Sequence, residues 1–312
     1  MRALASYVMR GPWQALLVAS ATALVSLIPL LGFASLFSGA VVALVALRQG
    51  FKASLMVVSG AALVMGIFSL VVVGNVGLGL TLLYVIMVWG PLLGLALILR
   101  NTTSWPMALD VAALFGMALV LVIYLLTGNP AAVWERLLSA AVASQDTGQD
   151  LSLFREQIPV VAQWITGVLG AALVGGMVAS LLLARWWQSL LYNPGGFQQE
   201  FQGLRQSRTT SVMVLVILAL SYAGFGMIST FATDVVVIVL VIYGVCGLGL
   251  LHALVAASGR GSIGLVVVYV LAFVALPYVI KALAALGFVD SWVNLRSWLH
   301  RSKSGTDKPH DN

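Results

Sequence analysis

Long apolar runs separated by short polar gaps dominate the hydrophobic pattern of this chain. Eight of these runs predict transmembrane helices over residues 13–30, 34–47, 53–73, 76–99, 106–126, 159–192, 211–230 and 234–256. A ninth apolar run covers residues 263–288. About 20 apolar residues cross a bilayer core as a helix, because each residue adds about 1.5 Å to a path of about 30 Å. The pattern predicts an all-α, polytopic transmembrane helical bundle.

The composition excludes an ordinary soluble fold. The chain is 61% hydrophobic and 8% charged, and its mean hydropathy is +1.05, whereas soluble chains are roughly a quarter charged. A membrane β-barrel would alternate apolar and polar residues in short strands, and these runs are continuous instead. We therefore expect one transmembrane domain over residues 1–290, followed by an amphipathic helix and a disordered polar tail over residues 291–312.

The basic residues predict the orientation. Nine basic residues lie an even number of crossings from the N-terminus: Arg2, Arg10, Arg48, Lys52, Arg100, Arg185, Arg205, Arg208 and Arg260. The outer insert has two basic residues, Arg136 and Arg155, against four acidic ones, Glu135, Asp146, Asp150 and Glu156. Basic loops stay on the cytoplasmic side of a membrane. The pattern predicts a multi-pass membrane protein with a cytoplasmic N-terminus. It also accounts for the net charge of +6, so we expect the lipid bilayer and not nucleic acid as the partner of these charges.

The ninth run leaves two topologies open. A single crossing would export the basic tail residues Arg296, Arg301, Lys303 and Lys308. Alternatively, the helix breaks at Pro277, which lacks a backbone N–H, and turns back as a hairpin surrounded by protein. The basic tail favours the second topology, with a cytoplasmic C-terminus.

Two irregular regions interrupt the pattern. Residues 129–158 predict an extracytoplasmic amphipathic insert, with a surface helix carrying Trp134, Leu137 and Leu138, a polar turn over residues 144–150, and a second piece around Phe154. The sixth helix is then expected to begin at Pro159. Asp234 is expected to cap the eighth helix at its outer end.

The fourth run contains the main candidate for a ligand site, Trp89-Gly90-Pro91. Proline and glycine predict a kink, and broken helices in transporters expose backbone groups to a substrate. Asp110 in the fifth run and Lys281 in the ninth are ionisable residues inside apolar segments, which is a functional signal by default. The alternatives are a purely structural kink and charges that lie at the membrane interface. His252 is a weaker candidate of the same kind.

Small residues at a spacing of four mark one face of the sixth run: Gly167, Ala171, Gly175 and Ala179. Such a face lets two helix backbones approach closely. It predicts either packing within the protein or a subunit interface.

A distinctive cytoplasmic stretch begins at the end of the sixth run and continues into the loop 193–210. The end of the run carries Arg185, Trp186 and Trp187, and the loop begins with strong turn chemistry: Asn193, Pro194, Gly195, Gly196 and Phe197. Asn-Pro-Gly-Gly favours a tight turn. The stretch predicts either an interaction loop for a membrane or cytoplasmic protein, or a loop that only reverses the chain.

The sequence indicates no catalytic chemistry. It has no phosphate-binding glycine loop, no metal-ligand cluster and no nucleophile with a plausible base. The three histidines and the lone Cys246 offer little for a metal or redox site. We therefore expect a protein that is not an enzyme and that carries no cofactor and no metal.

The chain resembles the YybS-like family of predicted bacterial membrane proteins of unknown function. The resemblance covers nearly the whole chain and rests on the Arg185-Trp186-Trp187-Gln188 string, the Asn-Pro-Gly-Gly-Phe turn and the Glu200-Phe201 pair, with Leu47-Arg48-Gln49-Gly50 and the 286–296 segment in support. It implies a polytopic inner-membrane protein, distantly similar in fold to the substrate-binding subunits of energy-coupling-factor vitamin transporters. It carries over no binding or catalytic residues.

Two functions follow as hypotheses. The first is a membrane protein that binds a small molecule or lipid between its helices, as a transporter subunit does. The second is a membrane scaffold that acts through the cytoplasmic loop 185–208.

Overall fold

The computed structural model describes residues 1–144, 152–258 and 263–296, and every regular element in these ranges is helical. The helices are α1 Arg2–Val8, α2 Pro12–Ser26, α3 Ala34–Gln49, α4 Phe51–Val73, α5 Asn75–Tyr84, α6 Gly90–Thr102, α7 Trp105–Thr127, α8 Pro130–Ala143, α9 Ser152–Tyr192, α10 Gly196–Gln202, α11 Arg208–Tyr222, α12 Met227–Ser258 and α13 Ile263–Val293. A 3₁₀ turn covers Pro29–Leu31 and a π-helical turn covers Val85–Trp89. The all-α prediction is confirmed.

Six helical segments are long and apolar enough to cross a membrane: Phe51–Val73, Asn75–Thr102, Trp105–Thr127, Leu153–Tyr192, Met227–Ser258 and Ile263–Val293. The chain is therefore a multi-pass helical membrane protein. The apolar helices α2, α3 and α11 have only 15 or 16 residues, fewer than the roughly 20 that a full crossing needs. The number of eight or nine crossings stays a prediction.

The helices form two compact units. The first unit comprises Met1–Ala112 and Gly175–Arg205, and the second comprises Ala113–Val174 and Gln206–Asn312. The long helices α7 and α9 each contribute residues to both units. The single domain inferred from the sequence stays a prediction.

Helix α3 forms the core of the first unit. Every residue from 38 to 47 is buried, and the helix packs against α2, α4 and α6. Small residues on α2 (Ala15, Ala19 and Ala23) face inward at a spacing of four and allow this close packing. Helix α3 ends at Gln49, and the Ala46 carbonyl in its last turn accepts from two donors, the Gly50 N–H at 3.0 Å and Arg100 Nη1 at 3.2 Å.

Close backbone contact between α12 and α13 organises the second unit. A Cβ atom on Gly247 would overlap the Leu283 carbonyl, and one on Gly287 would overlap the Tyr243 carbonyl. Only glycine fits at both positions. Nearby, the buried Ser211 hydroxyl lies 2.9 Å from the Tyr243 hydroxyl and donates to Ser291 at 2.7 Å, which joins α11 to the same crossing.

The turn between α11 and α12 lies earlier than the sequence pattern predicts. The chain reverses over residues 223–226, where Gly224 and Gly226 have φ values of 72° and 58°. Residues with side chains rarely adopt these angles. The predicted boundary at 230–234 is wrong because the apolar run continues across this glycine turn. Thr230 and Asp234 consequently lie inside α12, and Asp234 is not a helix cap.

Helix α9 also begins earlier than predicted. It is a single helix of 41 residues from Ser152, and Pro159 lies inside it instead of starting it. A proline removes one helix hydrogen bond, but the flanking residues retain helical angles here. The predicted surface helix corresponds to α8, which Trp134 ties to α9 by donating to Thr166 Oγ1 at 2.9 Å. Most of the predicted polar turn lies outside the described residues.

Helix α13 is broken near Pro277, where the sequence predicts a break. Ala275 has φ −135° and ψ 45°, which are not helical angles, and Pro277 follows two residues later. Beyond the break, Phe288 packs against Tyr243 at a ring-centroid distance of 5.5 Å. The Trp292 carbonyl then accepts from Arg208 Nη2 at 3.0 Å, so the end of α13 lies beside the start of α11. The predicted disordered tail lies beyond the described residues.

Candidate functional site

A buried carboxylate inside a membrane-length helix marks the candidate site. Asp234 lies about 10 Å along α12 from its start at Met227, and only 3% of the residue is exposed. A charged side chain at membrane depth costs roughly 2.5–3.5 kcal/mol on insertion scales. A carboxylate is kept there only where other groups compensate it, so its surroundings indicate what it does.

Two neighbouring helices donate to the Asp234 carboxylate. The Tyr124 hydroxyl on α7 donates to Oδ2 at 2.8 Å, and the Gly167 backbone N–H on α9 donates to Oδ1 at 3.1 Å. The Tyr124 ring is itself held edge-on against Phe231, with centroids 5.6 Å apart. These contacts fix the position of the carboxylate.

Gly167 makes this arrangement possible. A Cβ atom at residue 167 would lie 2.8 Å from Asp234 Oδ1 and 2.9 Å from Asp234 Cα, inside van der Waals contact. The small-residue face predicted on the sixth run therefore serves packing within the second unit at this position. The absence of a side chain brings the α9 backbone within hydrogen-bond distance of the carboxylate.

A cavity of about 410 Å³ adjoins Asp234 in the second unit. It lies where α7 ends at Gly128, α8 begins and α12 begins, and its size is within the range of small-molecule sites. Besides Asp234, its polar lining residues are Tyr124, Asn129, Gln163, Thr166, Thr230 and Thr233. The Trp164 side chain adds an aromatic wall. The cavity thus combines one acid, several neutral hydrogen-bonding groups and aromatic rings.

The described lining of the cavity contains one acidic residue, Asp234. A carboxylate offers about four acceptor positions, and the two described donors leave acceptor capacity on Asp234. Among the described residues that line the cavity there is no Lys, Arg or His. This arrangement can accept a cation or a strong hydrogen-bond donor.

A second, apolar cavity lies next to the first and shares Trp164 and Thr233 with it. This groove, of about 960 Å³, is lined by α9, α11, α12 and the broken part of α13. Its walls are mainly aliphatic, as shown by Val168, Leu218, Val237, Leu240 and Leu276. Lys281 also lines it. Of the five residues predicted for ligand binding, Lys281 is the one that lies in the second unit.

The other predicted ligand residues lie in the first unit. Trp89 is fully buried; its Nε1 donates to Ser38 Oγ at 2.9 Å, and Ser38 donates to the Ala19 carbonyl at 2.8 Å. A π-helical turn over Val85–Trp89 ends directly before Gly90 and Pro91, where the sequence predicts a kink. Trp89 thus joins three helices of the first unit through Ser38.

Asp110 lies on α7 in the first unit and is half-buried. Neither the Asp234 cavity nor the apolar groove includes Asp110, Trp89, Gly90 or Pro91 among its described lining residues. The ligand-binding role of these four residues stays a prediction.

The predicted interaction loop is anchored within the first unit by an ion pair. Arg185 contacts Glu200 through two hydrogen bonds, from Nη2 to Oε1 at 2.6 Å and from Nε to Oε2 at 2.8 Å. Trp105 Nε1 donates to Glu200 Oε2 at 3.2 Å. Burial alone raises the pKa of Glu200, but Arg185 and the Trp105 N–H outweigh that effect and hold the pKa below its usual range.

The turn of the loop is fixed by Ser189. Its hydroxyl donates to the Asn193 carbonyl at 2.7 Å and accepts from the Phe197 N–H at 3.1 Å. Trp187 is fully buried, while residues 192–195 are exposed. Arg48 lies over the Tyr192 ring at 4.3 Å. The loop therefore presents its turn on an ordered base, and the contribution of Trp186 to binding stays a prediction.

His252, the weaker candidate, lies 2.8 Å from the Tyr269 hydroxyl between α12 and α13. In the described part of the chain, no group of three His, Cys, Asp or Glu residues is placed to hold a metal ion.

Asp234 is the functional candidate that the sequence reasoning missed. Its position at the start of the predicted eighth run indicates a helix cap, because the predicted turn before it lies too late in the sequence. The Gly-Phe-Gly string at residues 224–226 was the available signal. Placing the turn there puts the carboxylate two helical turns inside a membrane-length helix.

A scan against protein-family models gave no match, and searches of curated proteins and of solved structures found no similar chain. The fold and the site define the class as a multi-pass helical membrane protein with a buried carboxylate, and the function is argued from that geometry.

Proposed function

We propose that this protein binds a small, positively charged organic molecule between its helices, in the manner of a transporter subunit, and that Asp234 is the residue that recognises it. The proposal depends mainly on one observation, the buried Asp234 carboxylate, which faces a cavity of about 410 Å³. The described residues that line this cavity include no basic residue. An organic ammonium group compensates this charge, and the cavity is much larger than a single ion requires.

The rest of the cavity supports an organic cation. Tyr124 and Trp164 supply aromatic rings, and a cation is attracted to the face of such rings within about 6 Å. Asn129, Gln163 and Thr230 supply neutral groups that can bind the polar part of a ligand. Because the Tyr124 and Gly167 donors already hold the carboxylate in place, little ordering is needed when the ligand binds.

Native mass spectrometry of the purified protein tests this function. We expect a bound molecule that carries a protonated or quaternary nitrogen, and we expect Asp234→Asn to lose it. Asp110→Asn is the matched control, because it removes a half-buried carboxylate that the cavity lining does not include. Loss of the molecule in Asp110→Asn and its retention in Asp234→Asn would refute the assignment, as would a parent protein that carries no ligand and gains none from added amines.

The proposed setting is the bacterial inner membrane, with the N-terminus and the C-terminal tail in the cytoplasm, in a protein of the YybS-like type. The break at Ala275 and the contact between Arg208 and the Trp292 carbonyl support a last segment that turns back. A C-terminal tag should then be inaccessible from outside intact spheroplasts and should become accessible after permeabilisation. A tag that is accessible in intact spheroplasts would contradict this topology.

A scaffold role through the loop 185–208 is the second candidate function. It is supported by the anchored base of the loop, in which Arg185 and Glu200 hold an exposed turn at residues 192–195. Replacing residues 193–197 by a neutral linker should remove a cytoplasmic partner that crosslinks to this turn. An unchanged set of crosslinked proteins would contradict this role.

A further inference from the structure

The apolar groove of the second unit is a second binding space, which shares Trp164 and Thr233 with the Asp234 cavity but not Asp234 itself. Its walls come from α9, α11, α12 and α13, all apolar helices, and its volume is about 960 Å³. The groove opens beside the break in α13, where Ala275 leaves the helical conformation and Leu276 and Pro277 line the wall.

One cationic residue contributes to this apolar lining. Lys281 lies one helical turn after Pro277, within the apolar segment of α13, and is exposed on the groove side of the unit. The described lining of the groove contains no Asp and no Glu. Intramembrane lysines normally pair with an acid or face a polar path. An anionic group from outside the chain would therefore complement Lys281.

We propose that the groove binds a membrane lipid with an anionic head group, with the acyl chains along the aliphatic wall and the head-group phosphate paired with Lys281. The groove is open to the surrounding bilayer, since its lining residues Tyr222 and Leu276 are 89% and 54% exposed. A phospholipid enters from the bilayer with its chains already in an apolar phase. A small soluble anion would gain nothing from the aliphatic walls, and so the lipid is the better match to the lining as a whole.

Quenching of Trp164 fluorescence by brominated lipids tests this inference, because Trp164 lines the groove. The purified full chain is reconstituted in phosphatidylcholine vesicles containing a small fraction of either brominated phosphatidylglycerol or brominated phosphatidylcholine. The difference in quenching between the parent and Trp164→Phe isolates this one of the nine tryptophans. We expect brominated phosphatidylglycerol to occupy the groove about 5-fold more strongly, the preference that one basic residue gives near a membrane.

Charge variants separate lipid recognition from general membrane attraction. Lys281→Gln should abolish the preference, and Lys281→Arg should keep it. Lys52→Gln, which removes an exposed lysine at the start of α4 in the other unit, should leave it unchanged. Equal quenching by the two lipids in the parent, or an unchanged preference in Lys281→Gln, would overturn the proposal.

The two sites fail separately. Asp234→Asn should keep the lipid preference, because Asp234 is not among the described residues that line the groove. Native mass spectra of the same samples give a second measurement. They should show phosphatidylglycerol retained by the parent and lost from Lys281→Gln, and retention by both proteins would contradict the proposal even if Trp164→Phe folded poorly.

Discussion

Replacing Gly167 with alanine should destabilise the second unit, although alanine is the better helix former. The added Cβ would lie 2.9 Å from Asp234 Cα and 3.2 Å from the Asp234 carbonyl oxygen. Both atoms belong to the backbone of α12, so the clash cannot be relieved by rotating a side chain. Helices α9 and α12 must move apart, which also lengthens the 3.1 Å hydrogen bond from the Gly167 N–H to Asp234.

The expected magnitude follows from a comparison with Gly244→Ala. A Cβ on Gly244 would meet its nearest neighbours, atoms of Ile280, at 3.8 Å, which is ordinary contact. Both substitutions gain about 1 kcal/mol of helix propensity. Only the change at Gly167 adds an overpacking cost of about 1–3 kcal/mol. The difference between the two variants should therefore be about 1–3 kcal/mol, or about 2–12 °C in Tm.

Cys246 provides the assay. It is the sole cysteine of the chain, lies on α12 in the same unit as Gly167 and is 1% exposed. A thiol-reactive fluorogenic dye should label it only when the unit opens. Gly167→Ala should become reactive at a lower temperature than Gly244→Ala. If Gly167→Ala reacted at the same temperature or a higher one, the close contact between α9 and α12 would be refuted.

Three further predictions follow. Glu200→Gln breaks the ion pair with Arg185 and should speed amide exchange in α10 at neutral pH. Because the pKa of Glu200 is lowered, the parent should show the same faster exchange only when the pH falls below the usual carboxylate range. Equal exchange in both proteins would argue against this ion pair as the anchor of the loop. Trp89→Phe removes the indole donor to Ser38 and should cost about 1–3 kcal/mol, measured as loss of monodisperse protein after heating; unchanged heat resistance would show that this bond is not structural. Gly247→Ala places a Cβ against the Leu283 carbonyl, so Cys246 should react with the dye at a much lower temperature than it does in Gly244→Ala. Equal reaction temperatures would contradict the tight crossing of α12 and α13.

Hydropathy sufficed for the helical class, because it depends only on runs of apolar residues that are independent of tertiary contacts. It placed α4 and α7 within a residue or two, since glycine or polar residues end them at Gly74 and Gly128. It failed at the α11–α12 turn, where apolar residues continue through two glycines. It also failed at Pro159, because a proline does not always end a helix.

The site was harder to predict than the fold. Trp89 and Lys281 stood out along the chain, but the role of a residue depends on which helices lie beside it. Asp234 acquires its partners from Tyr124 and Gly167, which are 110 and 67 residues away along the sequence. No local sequence pattern predicts these contacts between distant parts of the chain. The small-residue face on α9 was the one sequence signal that pointed to a close helix contact near the carboxylate.

Thermal stabilisation by matched cationic and neutral probes directly tests whether Asp234 recognises an organic cation. The parent and Asp234→Asn are heated with the Cys246 dye in the presence of methylammonium, choline, or 3,3-dimethylbutan-1-ol, the neutral isostere of choline. A ligand at ten times its Kd stabilises by about 1.4 kcal/mol. We expect at least one cation to raise the Tm of the parent and not that of Asp234→Asn, and we expect the neutral alcohol to change neither Tm. Equal shifts in both proteins, equal shifts by choline and its isostere, or no shift by either cation would contradict this role of Asp234.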